Sequence, residues 1–285
     1  MNCKIDCVYC FLKQAVTCMA LAKIDEDTQH EVLYKLMDDV KQYDRKDTPA
    51  VNSTKVLLKT YELINVDDPY REVKKQSNDL ALSLYPQLKN YLNTVDDRLH
   101  EALKISAAGN IIDLGPQRNF DVEKELKQIL KFGFEIDHYD KFIRKLEAAN
   151  NVLYLGDNAG EIVFDKILVE EIAAMGKNVT YVVKDGPILN DATMEDAVYV
   201  GMDKVANVIT NGTNYLGTCM DKLPAKFLDT LLNAEIVISK GQANFESLEH
   251  EEMAKGRIFF MLKVKCDYVA EKSGVKLGDA VFFTR

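Results

Sequence analysis

Asp157 and Asn158 stand side by side at the end of a short apolar run, and Asp191 follows the next such run. A carboxylate, an amide carbonyl and a second carboxylate suit a hard divalent cation such as Mg2+ or Mn2+ better than a soft one. Such an ion polarises a phosphoryl oxygen and orients an attacking water. Lys240, at the end of a further run, offers the fixed positive charge that a phosphate requires. Gly160 and Gly212 would let backbone N–H groups approach that phosphate, and a helix starting near Glu161 would add its N-terminal dipole. Each piece also has an ordinary explanation. Asp157-Asn158 is a common helix cap, and Asn190-Asp191 is a common turn. Glu161 and Asp165, four apart on one helix face, read as a solvated face.

The elements that position these residues follow from periodicity. Val152–Leu155, Val179–Val183, Val208–Thr210, Ile236–Ser239, Ile258–Leu262 and Val281–Phe283 are short runs, several of them apolar on both faces. That texture fits strands buried between two helix layers of a parallel sheet, joined by crossover helices such as Glu161–Met175. Ligands bind beyond the carboxyl ends of such strands. Four of those ends carry Gly with Asp, Asn or Lys: Gly156-Asp157-Asn158, Lys184-Asp185-Gly186, Asn211-Gly212 and Lys240-Gly241 with Asn244 nearby. A purely structural set of turns explains one or two of these less awkwardly than all four.

Upstream the pattern is helical up to about residue 150. Val32, Leu33, Leu36, Met37 and Val40 share one helix face; Leu80, Leu84, Leu88, Tyr91 and Leu92 share another; Leu99, Ala102, Leu103 and Ser106 mark a third. Pro69 is suited to open the second of these. The expected fold is α/β, with a helical N-terminal domain over 1–105 and a three-layer α/β/α sandwich with a mostly parallel sheet over 106–285. Gly109–Gly115 would supply the join or an extra strand.

Composition narrows the partners. The 285 residues are 47% hydrophobic and 28% charged, with a formal charge of -9. That balance belongs to an ordinary globular protein and argues against nucleic acid. No apolar run is long enough to cross a bilayer, and Cys7 to Ala22 lacks the layout of a secretory signal. Six cysteines, four of them within the first eighteen residues, make no disulfide framework for a chain this size, so the cytoplasm is the default compartment. Neither the G-x-G-x-x-G nor the G-x-x-x-x-G-K-[ST] spacing is present, which disfavours dinucleotides and ATP.

The block Gly156-Asp157-Asn158-Ala159-Gly160-Glu161-Ile162-Val163-Phe164-Asp165 resembles the signature of the domain-of-unknown-function family 89. Three further stretches match that family: Gly109 to Asp113, Gly186 to Thr193, and Lys240 to Glu246. Its members are described as metal-dependent damage-control phosphatases, and the family also carries an acidic-residue-methyltransferase-like label. The resemblance implies a helical domain joined to an α/β/α domain and one divalent metal (Mg2+, Mn2+, Co2+ or Ni2+) held by Asp157, Asn158 and Asp191. It places Lys240 near the phosphate of a small phosphorylated metabolite, such as a sugar phosphate or a damaged cofactor intermediate.

Cys7-x-x-Cys10 resembles the N-terminus of the family's prokaryotic branch. Such a pair holds a second metal, forms a redox disulfide or simply packs, and Cys3 and Cys18 could complete a four-sulfur set. Cys3-x3-Cys7-x2-Cys10 also has the spacing of a radical S-adenosylmethionine cluster, but it begins too early to leave room for the preceding barrel strand.

The expected activity is hydrolysis of a phosphomonoester by metal-activated water. Asn211, Gly212 and Asn244, with Glu161, Asn110 and Asp113, would shape the pocket. Asp157 is the alternative, carboxylate nucleophile. Two rivals are a carboxyl methyltransferase using S-adenosylmethionine, which would want a glycine-rich cofactor loop that is missing, and a non-catalytic metal- or metabolite-binding module.

Overall fold

The computed structural model describes residues 1–109 and 122–285. Expectations that fall on Asn110 and Asp113, and on the join at 109–115, lie outside the described residues. Among those described, a seven-stranded sheet has the order β1-β7-β6-β5-β2-β3-β4. The strands are β1 (Ile136–Asp137), β2 (Asn151–Leu155), β3 (Asn178–Val183), β4 (Asn207–Thr210), β5 (Ile236–Lys240), β6 (Ile258–Lys263) and β7 (Ala280–Phe283). All neighbours are parallel except β6 and β7. The six apolar runs are thus strands, and β1 is an addition too short for any periodicity to reveal.

One sheet face is covered by α7 (Tyr139–Ala148), α8 (Glu161–Ala174) and α9 (Met194–Tyr199), whose apolar residues join Val152, Tyr154 and Tyr181 in one core. The other is covered by α10 (Ala225–Leu232), α11 (Gln242–Leu248) and α12 (Asp267–Ser273), around Leu153, Val237 and Phe260. The chain therefore leaves β2 toward one face and β5 toward the other. Between these two adjacent strands opens the crevice at which an open α/β sheet reverses its winding, the position where such sheets bind ligands.

The N-terminal helices are α1 (Ile5–Leu21), α2 (Glu26–Val40), α3 (Pro49–Ile64), α4 (Arg71–Leu92) and α5 (Arg98–Ala108), followed by α6 (Val122–Leu130). Thr48 caps α3, accepting the Val51 N–H, with Pro49 in the first turn, where its missing N–H has no cost. α4 opens at Arg71 behind Tyr70, so Pro69 lies just outside the helix it was expected to start. Val32 and Leu36 of α2 are buried, but Met37 is exposed.

α4 and α5 do not form a separate body. Leu84, Leu88, Leu92, Leu99 and Leu103 share one core with α8 and the sheet. The division expected at residue 105 falls inside α5. α8 is consequently buried all round, with Ile162, Val163, Phe164, Ile167, Leu168, Val169 and Ile172 all inaccessible. The expectation of a solvated face at Glu161 and Asp165 is corrected for the same reason: a second helix layer covers that face. α3 docks on the loops beyond the strand ends, with Val51, Leu57 and Tyr61 packed against Ile188, Leu216 and Cys219.

Candidate active site at the sheet switch point

The loop after β2 and the loop after β3 are laced together by their backbones. Ala159 N–H donates to Asn190 O and Ala192 N–H to Asp157 O, both at 2.8 Å, around a bridge between Asn158 and Asp191. This pairing brings Asp157, Asn158 and Asp191 to one place. Asn158 Nδ2 donates to Asp157 Oδ2 at 3.1 Å and to Glu161 Oε1 at 2.8 Å. The amide donor sits between two carboxylates, where a cation would otherwise meet their lone pairs.

From the opposite side of the crevice, Gly241 supports Asp157. A Cβ on Gly241 would lie 2.2 Å from Asp157 Oδ2, and its φ of +90° is open only to glycine. The Asp157 carboxylate thus rests directly on the β5 turn.

The electrostatics are those of crowded carboxylates that nearby lysines offset only in part. Burial raises the Asp157 carboxyl well above the usual range, and the charges of Glu161 and Asp191 push it further, against Lys265 and Lys240. Asp191, 5% exposed, is pushed up to about 6 by burial, with Lys184 opposing and Glu161 assisting. Hard oxygen donors crowded in this way fit a divalent cation, which would relieve their repulsion. Among the described residues no group of three His, Cys, Asp or Glu side chains is disposed to hold a metal. The fit therefore rests on two carboxylates with the Asn158 amide as third donor.

Lys240 departs from expectation. Its ammonium is 1% exposed and pairs with Glu161 Oε2 at 3.0 Å and with Asp165. Asp165 also accepts from Ser106 Oγ and Tyr181 OH, both at 2.7 Å, and the Tyr154 hydroxyl lies 2.9 Å from Ser106 Oγ. Lys240 is the hub of a buried polar network that ties β5 to α8, not a free phosphate anchor. Desolvation that would discharge a lone lysine is overcome by these two carboxylates, which hold its pKa above the ordinary value.

The remaining expected pocket residues are engaged in architecture. Gly160 N–H donates to Asn78 Oδ1 at 2.6 Å and is not free for phosphate. Gly212 adopts φ +72° with Pro224 packed where a Cβ would stand. Asn211 Oδ1 accepts from Thr213 N–H, folding its own turn. Asn244 Nδ2 donates to Lys240 O at 2.8 Å and to Gly156 O at 3.4 Å, clamping the ends of β5 and β2. Asn211 and Asn244 are buried, their amides completing backbone bonds that the tight loops leave open.

Sequence reasoning missed several residues that hold the site. Asn78 of α4 also donates to Asp196 Oδ1 at 2.9 Å, and Lys74 meets Asp68 at 2.9 Å and Asp196 at 3.5 Å. Tyr61 OH accepts Leu189 N–H at 2.9 Å, fixing a residue at φ +45° in the loop that leads to Asp191. Lys184, 3.7 Å from Asp191, is held by the carbonyls of Tyr215 and Gly217. Lys265 is exposed just past β6, and its charge reaches both Asp157 and Asp191. The only signal for it was its place beyond a strand end.

A mostly parallel sheet with an acidic crevice at its winding reversal is the class of fold this chain adopts, and comparison with known proteins places the chain in a family. The chain belongs to the damage-control phosphatase ARMT1-like domain family, whose profile matches residues 3–281. A damage-control phosphatase of Archaeoglobus fulgidus is 34% identical, over 96% of this chain and 96% of its own length. One of Pyrococcus horikoshii is 33% identical over 99% and 97%. The crystal structure of a DUF89 family protein from Pyrococcus horikoshii superposes with a TM-score of 0.92, at 31% identity, covering 100% of this chain and 99% of that one.

Proposed function

We propose that this chain is a metal-dependent phosphatase that hydrolyses phosphomonoesters of small phosphorylated metabolites. The observation that carries the reading is the pair of carboxylates, Asp157 and Asp191, locked together by backbone bonds at the switch crevice. The names of the archaeal relatives support it. Asp157, Asn158 and Asp191 would hold the ion. When bound, a divalent ion supplies Lewis-acid polarisation of a phosphoryl oxygen and lowers the pKa of an attached water. Lys184 offsets the charge of Asp191 from within the fold. Lys265, exposed at the crevice, takes the part first expected of Lys240 and meets the dianionic end of the substrate.

The test is phosphate release from an aryl phosphate, with and without excess EDTA. Activity should vanish in chelator and return with added Mn2+ or Mg2+; full activity in EDTA would sink the metal reading. Absence of phosphate release with any divalent ion, together with methyl transfer from S-adenosylmethionine, would favour the methyltransferase alternative. Asp191→Asn should weaken metal binding and be partly rescued by extra metal. Lys265→Ala should lower kcat/KM about tenfold to a hundredfold, the worth of a charge-assisted hydrogen bond of about 1.5–3 kcal/mol, without rescue by metal.

A further inference from the structure

At the opposite end of the sheet from the crevice, α7 passes the end of β7 and the start of β6. An open pocket of about 370 Å³ forms there, lined by Lys141, Arg144, Lys145, Gly256, Thr284 and Arg285. β6 begins at Ile258 beside this pocket, and Lys265 lies past its far end, so roughly 20 Å of chain separates the two sites. Four cations thus meet on a chain whose formal charge is -9. Phe142 packs edge-on against Phe259 and Phe282 and fixes α7 to the sheet. His138 Nδ1 accepts Thr284 N–H at 3.2 Å, and Gly256 N–H donates to Arg285 O at 2.8 Å. The walls of the pocket are therefore tied to one another by backbone bonds.

The fold gives these cations no work. Among the described residues Lys141, Arg144 and Lys145 make no ion pair and no side-chain hydrogen bond, although Asp140 and Glu147 share their helix. They stand at i, i+3 and i+4 on one exposed face, where like charges repel and weaken the helix. Lys141 lies in the first turn, where the helix dipole also opposes a cation. At the other end Lys177 Nζ already takes Glu147 O at 2.9 Å and Ala149 O at 2.7 Å, so those carbonyls leave nothing for Arg144 or Lys145. Arg285, by contrast, is neutralised: its Nη2 donates to Glu249 Oε2 at 2.9 Å and to Lys272 O at 2.8 Å. Thr284 supplies a second, independent sign. Its Oγ1 is buried without a hydrogen-bond partner, the kind of group that a bound ion or ligand accounts for.

We propose that this pocket is a second, non-catalytic anion site that takes the diphosphate group of a small molecule. With Glu249 balancing Arg285, α7 contributes the three positive charges of Lys141, Arg144 and Lys145, against about three negative charges on a diphosphate near neutral pH. Lys141 and Lys145 stand about 6 Å apart along the helix, a span that two linked phosphoryl groups bridge and one does not. The lysines meet phosphoryl oxygens as point charges, and Arg144 meets them with a two-pronged donor. Turned about its Cα–Cβ bond, the Thr284 hydroxyl donates to the same anion. The volume suits a ligand of this size. The cysteines at the N-terminus form no comparable site: Cys7 is half-buried, Cys10 is exposed and both are free. No three His, Cys, Asp or Glu side chains among the described residues are disposed to hold a metal. The inference is independent of the phosphatase reading, since no residue of the crevice takes part.

Isothermal titration of the full-length protein with inorganic pyrophosphate tests this, in EDTA so that no metal recruits the anion to the crevice. One site should appear. Lys141→Ala and Arg144→Ala should each lower its affinity about tenfold or more, the worth of one charge-assisted contact, and Arg144→Glu should abolish the heat. Thr284→Val should weaken binding several-fold, while Lys265→Ala should bind like wild type. Orthophosphate should bind about tenfold more weakly than pyrophosphate, having one contact fewer. ADP separates the two sources of a diphosphate: binding as tight as pyrophosphate assigns the site to an ester, and exclusion assigns it to the free anion. Because the three helix cations repel one another, their alanine variants should melt at or above the wild-type midpoint. No heat with pyrophosphate, equal competition by sulfate, or undiminished binding in Arg144→Glu would overturn the proposal. So would loss of the site in Lys265→Ala, or a steep fall in the midpoint of Arg144→Ala, which would give the cation to the fold.

Discussion

Two neighbours in the chain, Lys240 and Gly241, do opposite kinds of work, and substitution should separate them. Lys240→Met removes the cation facing Asp165 and leaves a buried carboxylate without that countercharge. Breaking a buried pair from one side costs about 3–5 kcal/mol, so the thermal midpoint should drop steeply, in contrast to a near-unchanged midpoint for Lys265→Ala. Differential scanning fluorimetry of the two variants checks this; equal midpoints would mean that the fold does not depend on the pairing of Lys240 with Asp165. Gly241→Ala forces a side chain into a glycine-only conformation, at about 1–3 kcal/mol, and pushes against Asp157. A misplacement near 1 Å lowers turnover about a hundredfold. Its signature is lost turnover in a protein that still melts cooperatively. At this scale the sequence pointed to strand-end residues that the fold gathers at one crevice but not to which of them are consumed by the fold. Asp157, Asn158 and Asp191 were legible because donor type and strand-end position coincide. The partnership of Lys240 with Asp165 was not, because a buried lysine reads like an exposed one and its partner is 75 residues away in the chain.

Among elements, α4 reaches further into the site than a covering helix must. Asn78 spans the Gly160 N–H that starts α8 and the Asp196 carboxylate in α9. Asn78→Ala leaves both without their buried partner, and a loss of about 1–3 kcal/mol follows. Because Gly160 N–H sets the turn carrying Asp157 and Asn158, metal affinity should weaken along with stability. Isothermal titration with Mn2+ measures it, and unchanged affinity would mean that the β2 loop holds its shape without α4. The six longer strands were legible as short apolar runs, several of which lack a polar face. The burial of Glu161 and Asp165 was not, since period alone cannot tell that a helix layer is itself covered by another.

For the whole molecule, the shared core forbids a cut between the N-terminal helices and the sheet. Leu84, Leu88, Leu92, Leu99 and Leu103 would be stripped from α8 by truncation at residue 105 or its neighbours. At about 1.5–3 kcal/mol for each large side chain, their loss rivals a total stability of about 5–15 kcal/mol. Residues 106–285 expressed alone should lack a cooperative thermal transition, as followed by circular dichroism; a sharp melt would show the sheet to be self-sufficient. The change of periodicity near residue 150 marks where strands begin, not where contacts thin out.

The adjacency of β2 and β5 has a temporal meaning. Val152 pairs with Ile236 only after the chain has made β3 and β4 and returned. The crevice is therefore closed by a contact between segments remote in the chain, of the kind that forms late because its loop entropy is lost before the contact can reward it. Helices, built from neighbours, need no such wait. In a refolding experiment, ellipticity should recover ahead of metal binding, so that for an interval the chain is ordered yet inert. A ribosome-tethered chain whose β5 has not emerged is in the same condition: its Asp157 and Asp191 have been synthesised, but the floor on which Asp157 rests has not.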